Sequence, residues 1–367
     1  MRLALLLVLT ASIPALHAEE PRRFKIGASL ALSGKLASSG EQQLRGLTLA
    51  FEEANLATPG LLELVAEDNL GDAGKAVLGV KKLVALDGVD LVFSAISHLV
   101  LPVVDIVKQS QIPLFYSTSG TDRPLKNYDL AFKDWSEAFE QGSTLAEAVH
   151  KAGHRSVVLL SEQNEACEDI LHGFEDRART LALNVLAKEL FLPGEGDFRS
   201  ILFKLASKQP QAFALCDFRD AGVIMVQFKS LSLMSIPTFH VFAPFLPASD
   251  TPAMRALYEE NRAQSLWVDF VEGALAPHQK AFVERFTARF ASPPRVEAAF
   301  AYDAGQAIAS AARSCKGVEQ RSACLGEQLR HVRVEGAAGP LTFSTSRSSK
   351  RRSVVIEVRN GIWQRVW

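Results

Sequence analysis

Residues 24–55 read FKIGASLALSGKLASSGEQQLRGLTLAFEEAN. The apolar run Phe24–Leu30 predicts a strand, and residues 33–40 (SGKLASSG) a tight polar loop. Leu44, Leu47, Phe51 and Ala54 then recur at spacings of three and four, the period of one helix face. A strand that enters a helix through small residues aims the helix N-terminus at whatever the loop holds. In open α/β sheets ligands sit beyond the carboxyl ends of the strands, so this loop reads as half of a small-molecule site.

The alternation continues along the chain. Residues 61–66, 89–95 and 112–116 read as strands, with helices at 75–86 and 99–109. After Trp135 a second series begins, with helices at 136–151, 168–181, 197–207 and 221–230. Strands at 156–161, 184–191, 212–216 and 238–242 alternate with them. Such a pattern builds parallel sheets with helices on both faces. The C-terminal part breaks the rhythm. Helices at 278–290, 296–314 and 325–332 precede short β-like segments at 341–343, 354–358 and 362–366, the last two joined by the hairpin pair Asn360-Gly361.

The N-terminus carries Arg2, the apolar run Leu3 to Leu9 and the small-residue end Ala15-Leu16-His17-Ala18. This is the pattern of a secretory leader over residues 1–18, cleaved near Ala18. A membrane helix needs about 20 apolar residues, and Ser12 and Pro14 interrupt this run. The remaining length suits two ordinary domains. Lysine plus arginine (40) balances aspartate plus glutamate (41). No global field therefore favours nucleic acid or an anionic membrane. The one dense basic run, Arg347, Lys350, Arg351 and Arg352, reads as a solvated turn between strands. Of the four cysteines, Cys315 and Cys324 flank a polar connector and suit a local disulfide in an oxidising compartment. Cys167 and Cys216 follow and end predicted strands, and either meet across neighbouring strand ends or remain separate thiols. No CxxC spacing suggests a metal or redox site.

Several local patterns, weak singly, are specific in their order. They are Leu32-Ser33-Gly34…Gly40-Glu41-Gln42 and Glu67-Asp68-Asn69, then Ser94-Ala95-Ile96-Ser97 with Pro102 beyond. Ser117-Thr118-Ser119-Gly120-Thr121, Gly196-Asp197-Phe198, Ala301-Tyr302-Asp303-Ala304 and Gly339-Pro340-Leu341-Thr342-Phe343 follow. Over nearly the whole mature chain this resembles the periplasmic substrate-binding proteins of branched-chain amino acid and amide ABC transporters. The resemblance implies an α/β fold of two Rossmann-like parallel-sheet lobes joined by a three-crossover hinge, the type I periplasmic binding fold. Lobe one would be 22–140 with 272–337, and lobe two 141–271 with 338–367. The lobes would close on the ligand like a clamp.

The resemblance also places a site. Ser97 matches the serine that meets a ligand carboxylate or amide, and Ser117, Thr118, Ser119, Gly120 and Thr121 match the loop that adds NH groups and hydroxyls. Donors at strand and helix ends suit an anion or carbonyl oxygen, although Ser119 and Thr121 equally suit helix capping. His98 follows Ser97 and either reaches the cleft or is simply solvated. Trp135, at the first crossover, walls the pocket or packs the hinge. Three departures bear on the ligand. Ser39 stands where amino-acid binders often carry an aromatic, Ala166-Cys167 replaces a tyrosine-glycine pair, and Phe245 occupies the position of the acid that pairs with a ligand ammonium. An unpaired ammonium in a closed cleft is costly, which argues against an ordinary α-amino acid unless Asp217 or Glu165 substitutes. Arg219 either binds an anionic group or pairs with Asp220 on the surface.

The expected function is a periplasmic solute receptor, taken to be monomeric and free of cofactor, that serves the permease and ATPase of an ABC importer. A sensor subunit built on the same clamp is the alternative. No Gly-x-Ser-x-Gly, Walker or His-Glu-x-x-His motif suggests an enzyme. His150 and His154 read as a helix end, and Ser97-His98 is no nucleophile–base pair.

Overall fold

The computed structural model describes residues 22–217, 219–245 and 247–367; the leader expected over 1–18 lies outside them. The opening run is strand β1 (Phe24–Leu30). It joins β2 (Leu62–Asp68), β3 (Leu91–Ala95), β4 (Leu114–Ser117) and β5 (Ala131–Lys133) in a parallel sheet of order β2-β1-β3-β4-β5. Ile26, Ala28, Leu91, Phe93 and Phe115 have no exposed surface, as expected of a parallel sheet covered on both faces.

The second sheet takes β6 (Ser156–Glu162), β7 (Asn184–Phe191), β8 (Ala212–Cys216), β9 (Thr238–Val241) and β10 (Gln264–Trp267). A small hairpin, β11 (Val334–Gly336) with β12 (Gly339–Leu341), follows, and β13 (Val354–Arg359) and β14 (Ile362–Arg365) then complete the second sheet. Its order is β14-β13-β10-β9-β8-β6-β7, with β13 and β14 antiparallel at one edge. Asn360 and Gly361 turn that hairpin at φ 54° and 74°, the left-handed pair a two-residue turn requires.

The helices Pro277–Phe290 and Val296–Ser314 return to the first sheet, where they pack on helix Ala37–Ala57. Gly46 sits at this contact, and a Cβ there would lie 2.3 Å from the carbonyl oxygen of Ala298. Each sheet with its helices forms one lobe. The chain leaves the first lobe after β5 and returns after β10. Its tail then runs beside β5, where Lys133 N donates to Arg347 O (3.0 Å) and Ser349 N to Lys133 O (2.8 Å), before entering β13.

Several elements differ from the sequence reading. The helix expected to follow Gly40 begins at Ala37, after a turn over Gly34–Leu36. The helix expected over 99–109 is a short helix (Ser97–Val100), a 3₁₀ turn over Leu101–Val103 and a second helix (Val104–Gln109), with Pro102 unable to donate to a continuous ladder. Strands β5, β10 and β11 and helices Arg123–Asn127 and Pro252–Asn261 were not anticipated. The strands have three or four residues, too few to show a period.

Replacing Gly46 with Val is expected to force the two helices apart and destabilise the protein by about 1–3 kcal/mol. Chemical denaturation followed by circular dichroism checks this; unchanged stability would mean that the helix pair re-seats freely.

Candidate ligand-binding cleft

The carboxyl ends of both sets of strands face each other. Arg123, just past β4, reaches Glu165, just past β6, at 3.2 Å, and Lys126 reaches Asp169 at 3.7 Å. Trp135, where β5 leaves the first lobe, places its ring 4.2 Å from that of Phe242 at the end of β9 and 5.4 Å from that of Phe300. A cavity of about 610 Å³ opens beside Arg123, Asn164, Glu165 and His172. Another of about 490 Å³ lies at the other end of the second sheet, walled by Trp267, Phe270, Arg295 and Trp363.

In the first lobe, Ser97 begins its short helix half-buried. Its Oγ lies 3.1 Å from Ser119 Oγ and accepts the Gly120 N–H at 3.2 Å. These three residues, from the ends of β3 and β4, form one polar cluster. Thr118 Oγ1 accepts from Gln43 Nε2 at 2.7 Å, and the buried Ser117 hydroxyl lies beside Asp134. His98 is exposed, with Nε2 3.3 Å from Gly71 O, and does not join the cluster. Ile96 (φ 68°), Thr118 (φ 45°) and Phe242 (φ 58°) follow β3, β4 and β9 in left-handed conformation. For β-branched Ile96 and Thr118 this is unusual, and such strain, of order 1–3 kcal/mol each, gathers at functional sites.

Ser39 is not in a loop. It is buried in the first turn of helix Ala37–Ala57, its hydroxyl toward Glu297. Arg295 grips the buried Glu297 carboxylate with Nε (3.2 Å) and Nη2 (3.0 Å). Burial pushes the pKa of Glu297 up, against the pull of Arg295. Sequence reading missed this pair; the acid inside an otherwise apolar helix start was the available signal.

In the second lobe, Asn164 caps helix Glu165–Thr180 by accepting the Cys167 N–H at 2.9 Å, which seats Ala166, buried, in the first turn. A disulfide joins Cys167 to Cys216 at the end of β8, and a second joins Cys315 to Cys324. Next to Cys216, Asp217 is buried; its Oδ1 accepts the Asp220 N–H at 2.9 Å, and Oδ2 has no hydrogen bond among the described residues. Burial, reinforced by Asp220 and Glu162, pushes its pKa up to about 7. Arg219 bonds the buried Glu162 carboxylate at the end of β6 rather than Asp220, with about half of its side chain exposed. Glu165 is engaged by Arg123. Phe245 lies in the turn Ala243–Phe245 after β9. Among the described residues no group of three His, Cys, Asp or Glu side chains could hold a metal.

Behind the cleft lies a buried charge network. Asp303 accepts the N–H groups of Ala337 (2.5 Å) and Ala338 (2.9 Å) and pairs with Arg351. Arg351 also donates to Gly339 O (2.9 Å) and, at 3.4 Å, to Asp134 O. The solvated-turn reading of the basic run is thus wrong for Arg351, which is buried, and for Arg347, which donates to Leu125 O at 2.6 Å with only 12% of its side chain exposed. Only Lys350 and Arg352 are exposed. At Gly336 a Cβ would sit 2.3 Å from Asp303 Oδ2, so this approach requires glycine.

A family model described as periplasmic binding protein matches residues 23–360. The chain belongs to that family. This periplasmic binding protein is 21% identical over 290 residues to Leu/Ile/Val-binding protein homolog 8 of Brucella abortus, covering 74% of this chain and 71% of the relative. Its fold is similar to that of the branched-chain amino acid transporter substrate-binding protein LivJ of Streptococcus pneumoniae in complex with isoleucine. The TM-score is 0.80 at 23% identity, over 94% of this chain and 99% of that one. It is also similar to an ABC transporter solute-binding protein from R. palustris in complex with benzoate, with TM-score 0.77 at 20% identity over 94% and 95%.

Asp303→Ala is expected to leave Arg351 buried without a counter-charge and to cost about 3–5 kcal/mol. Equilibrium urea unfolding checks this; a loss below about 1 kcal/mol, the worth of a surface pair, would show that the pair does not secure the hinge.

Proposed function

We propose that this periplasmic binding protein is the solute receptor of an ABC importer, exported with loss of its leader. It would hold a small carboxylate that lacks an α-ammonium group and pass it to a membrane permease driven by an ATPase. The observation that carries the reading is the cluster of Ser97, Ser119 and Gly120 at the meeting strand ends. Its hydroxyls, flanked by the strained residues Ile96 and Thr118, are suited to donate to a carboxylate.

The missing ammonium partner follows from the other wall. Phe245 stands where the resemblance calls for an acid, and the carboxylates of Glu162 and Glu165 are engaged by Arg219 and Arg123. Asp217, held near a pKa of 7, offers only a partial counter-charge at neutral pH. Trp135 and Phe242 add aromatic surface, which suits an apolar or aromatic body on the ligand. The relatives that bind isoleucine and benzoate bracket these choices. The binding step is closure of the two lobes about the crossovers, with contacts from both lobes favouring the closed state.

A thermal-shift screen against aliphatic and aromatic carboxylates, amides and amino acids is expected to give its hits among carboxylates without an amine. Saturation at about 100 times Kd stabilises by about 2.7 kcal/mol. Hits confined to α-amino acids would refute the missing-ammonium reading. For the best hit, Ser97→Ala is expected to weaken calorimetric affinity by about 1–3 kcal/mol; unchanged affinity would remove Ser97 from the site.

A further inference from the structure

We propose that Lys133, buried beneath the polar cluster, is the cation that makes the cleft select an ionised carboxylate over the matching carboxamide. The inference rests on the reading above, in which Ser97, Ser119 and Gly120 hold the acid end of the solute, and it assigns that site the source of its charge selectivity.

The hydroxyls alone do not discriminate. A serine donates to the carbonyl oxygen of an amide as it does to a carboxylate oxygen, and it can also accept from an amide NH₂. Selection by charge needs a charge nearby. The Lys133 side chain has no exposed surface, and Asp122 is buried with it. Lys133 Nζ donates to Gly120 O at 3.3 Å and to Asp122 Oδ1 at 2.7 Å. Gly120 alone separates the ammonium from the Ser97 hydroxyl. Its carbonyl receives Lys133, and its N–H rests on Ser97 Oγ at 3.2 Å. Lys133 therefore acts from below, fixing Gly120 from one side while Ser97 fixes it from the other.

The order of contacts sets the sign of the field. Asp122 Oδ2 accepts the N–H of Ala138 at 2.8 Å, and Ala138 opens helix Ala138–Lys151 of the second lobe. The free N–H groups of a helix start carry partial positive charge, which offsets part of the carboxylate. The pair is thus a dipole with its cationic end on Gly120 and its anionic end on the helix. Asp134, the next residue, cancels only part of the ammonium, because burial pushes its pKa up to about 7. Arg351, on the far side, is matched by Asp303. The cluster is left facing a net positive field, and such a field acts more strongly away from bulk water than at the surface.

The test compares acids with their own amides, a contrast that a purely structural role for Lys133 would not move. Calorimetry uses two matched pairs, benzoate with benzamide and 4-methylpentanoate with 4-methylpentanamide. The variant combines Lys133→Met with Asp122→Asn, replacing a buried ion pair by neutral groups of similar size, a change that proteins commonly tolerate. The expected result is an acid preference in the wild type that falls roughly tenfold in the variant, with amide affinity kept. An unchanged ratio, or equal loss of acid and amide affinity, overturns the charge role alone and leaves the solute reading standing. A wild type that binds neither pair overturns that reading and this inference together. Should the paired variant fold poorly, the ammonium NMR resonance of Lys133 in the wild type decides. It is expected to shift with the acid and not with the amide, and equal shifts end the proposal.

Discussion

The buried pair Asp303–Arg351 is the constraint on which the hinge depends. Two ions withdrawn from water are tolerated only when nearly every lone pair and proton finds a partner. Here the backbone supplies them. Two N–H groups at Ala337 and Ala338 meet the carboxylate, and the Gly339 carbonyl meets the guanidinium. The pair thereby fixes the path of the chain between its last helices and its final strands, and it draws the tail against β5. With the tail held there, Lys133 and Trp135 emerge from the first lobe in one direction. The aromatic contact with Phe242 and the facing of the strand ends follow from that direction.

The lobes themselves touch through modest forces. The ion pairs Arg123–Glu165 and Lys126–Asp169 are largely solvent-exposed, and such pairs are worth about 0–1 kcal/mol. An aromatic contact such as Trp135–Phe242 adds about 0.5–1.5 kcal/mol beyond the area it buries. Interactions of this size would leave open and closed arrangements of such lobes close in free energy. A bound solute can then decide between them, which a tightly glued interface would prevent.

Much of the architecture was legible in the chain because it is written in periodicity. Strand Phe24–Leu30, strand Asn184–Phe191, helix Ala221–Ser230 and helix Val296–Ser314 have the bounds that their apolar patterns suggest. What escaped was set by tertiary contact. Strand β5 has three residues and exists because β4 and the tail flank it. Arg351 sits in a basic run that looks solvated until a buried aspartate, 48 residues earlier, claims it. In the cleft, the grouping of Ser97 with Ser119 and Gly120 could be anticipated, since each ends a strand of the same sheet. The partners of Glu297 and Glu162, and the left-handed backbone at Ile96 and Thr118, could not. Neither composition nor spacing records which opposing charge arrives or which peptide is forced to turn.

The bridge between Cys167 and Cys216 has a practical meaning of its own. It staples the first turn of a helix to the end of a neighbouring strand, on either side of Ala166 and Asp217. Protein made in a reducing cytosol would lack that staple, and the second wall of the cleft would be free to breathe. Two preparations of identical sequence, one matured under oxidising conditions and one not, are in this respect different receptors, and an affinity measured on the second describes a looser mouth than the one the bridged molecule presents.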